Sequence, residues 1–335
     1  MIIPELNFIM NGCMRINQRG SVSSATSDSW QIFRTMDRWA IGQIGAVRVT
    51  VSQDTDVPAN TNLTNSAKIL VTAKDDSIAT TDHCQIFQSI EGYDFQHLSG
   101  KYCLLSFWIK SEVTGTMGVS FRNNSLDRSF VSDIVINSAS TWELKTVPII
   151  FNEPTGTWNK TDWAGVHITF TLSIGATYQT TADIWQTGNY GGTSSQTNFT
   201  ATANKAVWLT GIQLHRSSRY IPFRMRKYQE ELELCLRYYY QGIPNWFGVS
   251  QSATEANRIG GSHPVPMIAA PTVGYEGTVY VTPGSATNYN LSAVAYQYSN
   301  TLFAESDFIV ATGLTVGGSI VTQGTGVFTV GIAGW

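Results

Sequence analysis

The sequence predicts an all-β protein: a jelly-roll β-sandwich, followed by one amphipathic helix and a small C-terminal β-domain. Period-two alternation of apolar residues runs through most of the chain, as in Ala46-Val47-Arg48-Val49-Thr50-Val51-Ser52, where Val47, Val49 and Val51 point one way. Clusters of Gly, Asn, Asp and Ser separate the runs and supply turn chemistry. Convincing helical periodicity occurs once.

The sandwich is assigned to residues 1–223, with further strand runs at 68–72, 102–110, 118–122, 142–151, 166–173 and 206–214. Many short strands at this spacing bury their apolar faces by forming two packed sheets. Residues 224–242 form the connecting helix, read from Met225 to Tyr240, with Tyr228, Leu232, Cys235 and Tyr239 on one stripe and Gly242 and Pro244 as stop signals. This helix reads either as a trimer seam or as an element packed on its own sandwich; two heptads are too short to hold a coiled coil alone. Residues 243–335 form the small β-domain, with strand signals at 265–269, 278–282, 291–298 and 308–312. The closing stretch from Gly313 to Trp335 carries no charge, and a neighbouring subunit would cover the edge it leaves.

Charged residues make up only 13% of the chain, against about 25% in ordinary soluble domains, so Ser, Thr, Asn, Gln and Gly carry the polar role. This is the composition of a binding surface or an assembly subunit. A net charge of -3 supplies no field to gather nucleic acid or anionic lipid. The opening MIIPELNFIMNG does not read as a secretory signal, and no segment approaches the ~20 apolar residues of a membrane span, so synthesis in a cytoplasm without membrane insertion is expected. Cys13, Cys84, Cys103 and Cys235 are scattered and read as free, buried thiols. His83, His97, His167, His215 and His263 lack metal-ligand spacing, and no phosphate-cradling or dinucleotide-binding motif is present, so no metal or other cofactor is expected.

Two blocks carry a family likeness. The first is Asn7-Phe8-Ile9-Met10-Asn11-Gly12, Met14-Arg15, Gln18-Arg19-Gly20 and Asp37-Arg38-Trp39. The second is Gly211-Ile212-Gln213-Leu214, Pro222-Phe223, Tyr228, Glu230-Glu231-Leu232, Cys235 and Arg237-Tyr238-Tyr239, continued by Ser262-His263-Pro264-Val265-Pro266-Met267 and Ala270-Pro271-Thr272-Val273. In this order the blocks resemble phage and prophage tail-fibre-like proteins. The resemblance implies a virion component, assembled in the host cytoplasm, whose first domain is a jelly roll of the carbohydrate-binding-module type displayed as a homotrimer. It implies other virion proteins as partners and names no substrate. Locally, Trp39 reads as a core anchor, and Arg15, Arg19 and Arg38 beside Asn7 and Asn11 read as ties from the chain start to the sheet.

No enzymatic activity is expected, because polysaccharide cleavage needs paired carboxylates. Asp75-Asp76 sits in a turn and Glu230-Glu231 on the helix; Glu153 with Asp162 is a polar loop, a sugar site or a calcium site. Two Gly-flanked aromatic loops remain, 152–163 and 185–192. They read as a carbohydrate-binding surface, as trimer contacts or as plain loop packing, with Trp158, Trp163, Trp185 and Tyr190 as platform candidates and Asn152 and Asn189 as hydroxyl partners. Asn245-Trp246-Phe247 reads as a staple between domains. Two functions follow: recognition of host surface polysaccharide by a tail fibre or receptor-binding subunit, or a purely structural role as capsid decoration, head fibre or fibre adaptor.

Overall fold

The computed structural model describes residues 6–24, 28–152, 155–242, 247–250, 252–276, 279–283, 289–310, 314, 319–324 and 327–331. The chain divides into two compact units, 1–227 and 228–335.

The first unit holds strands β1 (Val22–Ser23), β2 (Gln31–Arg34), β3 (Ala40–Ile44), β4 (Arg48–Asp54), β5 (Ser66–Ala73), β6 (His83–Glu91), β7 (Tyr102–Ser111), β8 (Gly115–Asn123), β9 (Arg128–Ile136), β10 (Glu143–Ile150), β11 (Ala164–Ile174), β12 (Trp185–Thr187) and β13 (Ala206–His215), with a one-turn helix α1 (Gly92–Phe95) after β6. They form a six-stranded sheet ordered β1-β4-β5-β13-β7-β10 and a seven-stranded sheet ordered β12-β9-β8-β11-β6-β3-β2. The two sheets make the predicted jelly-roll sandwich, and all seven strand runs read from alternation are present.

Inward positions of facing strands build the core. Cys103, Leu105, Phe107 and Ile109 on β7 and Val166, Ile168, Phe170 and Leu172 on β11 are all buried. Phe107 meets Phe170 edge to face at 4.8 Å, and Trp39 sits against Phe170 at 6.2 Å. Trp39 is fully buried, as the sequence predicts for a core anchor, with its indole N–H donated to the Asn11 carbonyl at 3.2 Å. On β13, Leu209 and Ile212 both face inward although three residues apart, because a bulge between Thr210 and Gln213 shifts the register. Gly211 supplies the bulge's positive φ of 60°.

The two sequence blocks meet in space. Phe8 N–H donates to the Leu214 carbonyl at 3.0 Å, Ile212 N–H donates to the Gly12 carbonyl at 3.0 Å, and Gln88 exchanges two side-chain bonds with the Met10 backbone. Arg226 Nη1 donates to the Ile9 carbonyl at 3.0 Å, and Arg38 Nη2 donates to the Ser89 carbonyl at 2.6 Å. Polar side chains therefore satisfy backbone groups where the chain start meets the sheet, Gln88 and Arg226 those of Met10 and Ile9, and Arg38 that of Ser89.

The second unit contains helix α2 (Tyr228–Leu236), β14 (Tyr239–Gly242), β15 (Phe247–Ser250), β16 (Glu255–Ser262), β17 (Thr272–Glu276), β18 (Val279–Pro283), β19 (Tyr289–Ser299), β20 (Phe303–Val310), β21 (Ser319–Gly324) and β22 (Val327–Gly331). β14, β22 and β17 form one sheet, and β15-β16-β20-β19-β18-β21 close into a barrel. The helix is shorter than its sequence stripe: Tyr239 and Tyr240 pair in register with Gly331 and Val330 instead. Residues 265–269 form no strand, since Pro264 and Pro266 remove ladder donors around Val265. The two described strands of the uncharged tail find backbone partners within their own unit, β21 between β15 and β18 and β22 between β14 and β17.

All four cysteines are free and buried. Burial pushes the Cys84 and Cys103 thiols up to about 12. Among the described residues no helix is long and apolar enough to cross a membrane.

Candidate functional site

The six residues expected to bind a saccharide separate into distinct places. Trp158 and Trp185 come together, edge to face at 5.4 Å. Trp158 stacks on Phe95 at 5.1 Å with ring planes 10° apart, while Trp185 reaches Phe130 at 5.6 Å and Phe151 at 6.2 Å. Both are half-buried extensions of the core, and both indole N–H groups are taken by backbone carbonyls, Thr155 at 3.0 Å and Ile150 at 2.8 Å. Trp163 is 52% exposed and Asn152 is exposed. Glu153, Asn245 and Trp246 lie outside the described residues.

Asn189 and Tyr190 belong to another surface. β12 pairs Trp185 with Phe130, an inward position, and Gln186 with Ser129, an outward one. The chain then turns over the sheet's edge: Gly188 N–H donates to the Asp127 carbonyl at 2.8 Å, and Tyr190 N–H donates to Ser129 Oγ at 2.9 Å. The tryptophan and the Asn-Tyr pair of one short loop thus serve opposite faces of the seven-stranded sheet.

That outer face is the best-formed candidate site. Antiparallel register aligns Arg34, Ala40, Phe87, Thr169, Ser120 and Val131 in one row across six strands. The adjacent row holds Ser89, His167, Arg122, Ser129 and Gln186. Arg122 lies at the centre. Its Nη1 donates to Asn189 Oδ1 at 2.9 Å, and its Nη2 donates to Gln85 Oε1 and Thr169 Oγ1, each at 3.0 Å. Beside it, Ser89 Oγ and His167 Nδ1 share a 2.7 Å hydrogen bond, and His167 meets Phe87 edge to face at 6.1 Å.

Aromatic rings stand at the rim. Trp30, 53% exposed, lies over Gly42, where an added Cβ would come within 3.0 Å of the indole, and contacts His83 at 5.1 Å. Tyr178 meets His83 edge to face at 5.0 Å. Between β11 and β13 the chain crosses part of the face, with the Gly191 carbonyl accepting from Thr171 Oγ1 at 2.6 Å.

Burial and positive neighbours set the electrostatics. Burial first, then the charges of Arg122 and Arg34, push the His167 imidazole down to about 3, and burial chiefly lowers His83 to about 4. Both are neutral at pH 7. Burial lowers Arg122 and Arg34 to about 10, with Arg19 and Arg38 also acting on Arg34, and both remain cationic. The face thus combines positive charge, one exposed aromatic ring, Trp30, and fixed hydrogen-bonding groups of which Ser89, Ser120, Ser129 and Thr169 are buried.

Sequence reasoning reached Asn189 and Tyr190 but not Trp30, Arg34, Phe87, Arg122 or His167. The available signal was the other half of the alternation: His83, Gln85, Phe87 and Ser89 on one strand, and His167, Thr169 and Thr171 on another.

No protein-family model matches the sequence, and no curated protein matches it. Solved structures similar to it include a family 11 carbohydrate-binding module from Clostridium thermocellum in complex with a β-1,3-1,4-mixed-linked tetrasaccharide, at 12% identity and TM-score 0.32, covering 60% of this chain and 98% of that one. The CBM22-1 xylan-binding domain from Paenibacillus barcinonensis is similar at 8% identity and TM-score 0.28, covering 64% and 97%. The enzymatically active domain of tailspike protein 4 from bacteriophage CBA120 is similar at 14% identity and TM-score 0.33, covering 62% of this chain but 21% of the tailspike chain.

Proposed function

We propose that this protein binds carbohydrate without cleaving it, through the outer face of the seven-stranded sheet, as a receptor-binding or tail-fibre component of a phage particle. One observation carries the binding reading: Arg122, fixed by Asn189, Gln85 and Thr169, stands in a row of polar side chains beside Phe87, with Trp30 exposed at the rim. Saccharides are bound by such pairings, rings against C–H faces and directed polar groups against hydroxyls. The particle role rests on the resemblance of the blocks beginning at Asn7 and Gly211.

The non-cleaving part of this proposal rests on the two cross-strand rows, which hold no carboxylate pair of the kind glycoside hydrolysis uses. The test is a glycan array of host capsule and lipopolysaccharide oligosaccharides, with Trp30→Ala and Arg122→Gln variants alongside the parent. Binding lost in both variants, with no oligosaccharide released by the parent, is the expected result. Binding undiminished in both would remove this face from consideration, and released product would remove the non-catalytic assignment.

A second reading, a structural virion protein that binds only other virion proteins, is favoured by Tyr102 and Ile150. They are directly opposed on β7 and β10 and are 43% and 47% exposed, an apolar pair suited to a subunit contact. Homotrimer formation, measured by light scattering of the parent and an Ile150→Lys variant, tests that surface.

A further inference from the structure

The charge on the outer face specifies the ligand more closely, given that this face binds a saccharide. Partly buried guanidinium groups normally meet a carboxylate, because an uncompensated charge in a dehydrated site is costly. Arg122 does not. Its three acceptors, Asn189 Oδ1, Gln85 Oε1 and Thr169 Oγ1, are all neutral, so the cation is held in place without being neutralised. Its buried Nε and the fully buried Ser120 Oγ in the adjacent row have no hydrogen-bond partner.

Arg34 on β2 is a second half-buried cation, with neighbouring charges from Arg19 and Arg38. Among the described residues neither Arg34 nor Arg122 forms an ion pair. Two acids toward this side are engaged elsewhere. Asp37 accepts from Gln18 and lies 4.0 Å from Arg19, and Asp133, further along β9, is held by Thr193 Oγ1 at 2.8 Å. Both cations bear on His167, which is neutral and adds no charge of its own.

We propose that the saccharide bound here is acidic, a carboxylate-bearing sugar of the hexuronate or sialate kind, whose negative charge complements Arg122 and Arg34. A neutral glycan would leave both cations uncompensated while displacing their water. An acidic one gains charge-assisted hydrogen bonds, about twice as strong as neutral ones.

The experiment is calorimetric titration of the full chain with polygalacturonate, alginate and polysialate, each beside its carboxyl-reduced, neutral counterpart. At least one acidic polymer should bind, and its reduced form should bind at least about tenfold more weakly. Arg34→Gln should weaken the acidic interaction, and Arg34→Lys should largely keep it. Asn189→Asp, nearly isosteric and adding the missing carboxylate beside Arg122, should abolish acidic binding at an unchanged or raised melting temperature. Equal binding of acidic and reduced forms would overturn the acidic specificity while leaving saccharide binding intact. Binding of neither form would overturn both.

Discussion

Asn189 Oδ1 accepts a 2.9 Å hydrogen bond from Arg122 Nη1, so a residue of the segment between β11 and β13 orients the central cation of the sheet's outer face. Arg122 Nη2 donates its remaining bonds to Gln85 on β6 and Thr169 on β11, so this side chain of β8 joins two further strands and a loop.

Removing the loop's share of that junction should have two separable effects. Hydrogen bonds to charged groups contribute about 1.5–3 kcal/mol, so Asn189→Ala should lower the unfolding free energy by no more than this. Denaturant titration measures that quantity. Saccharide affinity should fall as well, since the guanidinium loses its fixed direction. A variant with full affinity would separate Asn189 from the site.

Trp158 and Trp185 should behave as core rather than as platform. Each is half-buried against the apolar cluster and each has its indole N–H bonded to backbone. Full truncation of a buried aromatic costs about 3–5 kcal/mol, and about 2–3 kcal/mol is expected here because part of each ring is exposed. The double-mutant cycle should return a coupling of about 0.5–1.5 kcal/mol for their edge-to-face contact. Trp163, 52% exposed, should change stability by about 0.5 kcal/mol or less when replaced by Ala. Melting temperatures unchanged in Trp158→Ala and Trp185→Ala, together with lost binding, would return those two to the site.

Much of the architecture was legible because burial on one face of a strand prints alternation directly onto the sequence, as at Val47, Val49 and Val51. The helix was legible in kind but not in length: Tyr239 continues the helical stripe, yet pairing with Gly331 takes it into a sheet, and nothing local announces a partner that far along the chain. The outer face was hidden for a related reason. Within one strand, Arg122 or His167 looks like an ordinary solvent-facing residue. Only the register of β6, β11 and β8 sets Ser89, His167 and Arg122 side by side, and register is a long-range property.

The neutral histidines should make stability fall in acid. His167 and His83 have folded-state values near 3 and 4, against about 6.5 in the unfolded chain. Between those limits the unfolded state binds more protons, so stability is highest above about pH 6.5 and declines as pH drops toward 4. One such histidine contributes at most about 1.4 kcal/mol per pH unit. Replacing His167 by Gln should flatten the acid limb of the stability profile relative to the parent, and identical slopes would show that this ring is not held neutral.

The turn that carries Asn189 and Tyr190 depends on Gly188, and its replacement should act on binding through geometry alone. Gly188 has φ of 124°, a region L side chains rarely adopt, and an added Cβ would come within 2.8 Å of the Tyr190 ring. Gly188→Ala therefore forces either the backbone or the tyrosine to move. Strain of this kind costs about 1–3 kcal/mol, too little to unfold the sandwich, whose core lies on the other side of the sheet. The turn is anchored on both sides, by Gly188 N–H on the Asp127 carbonyl and by Tyr190 N–H on Ser129 Oγ, so the Cβ contact should be relieved mainly by swinging the Tyr190 ring, while the φ strain remains as lost stability. Saccharide affinity should then drop in Gly188→Ala about as far as in Tyr190→Ala, and the double variant should be no worse than either. Additive losses would mean instead that the strain displaces Asn189 and Arg122 as well, and a Gly188→Ala variant with parental affinity would show that the tyrosine ring contributes nothing to the bound state.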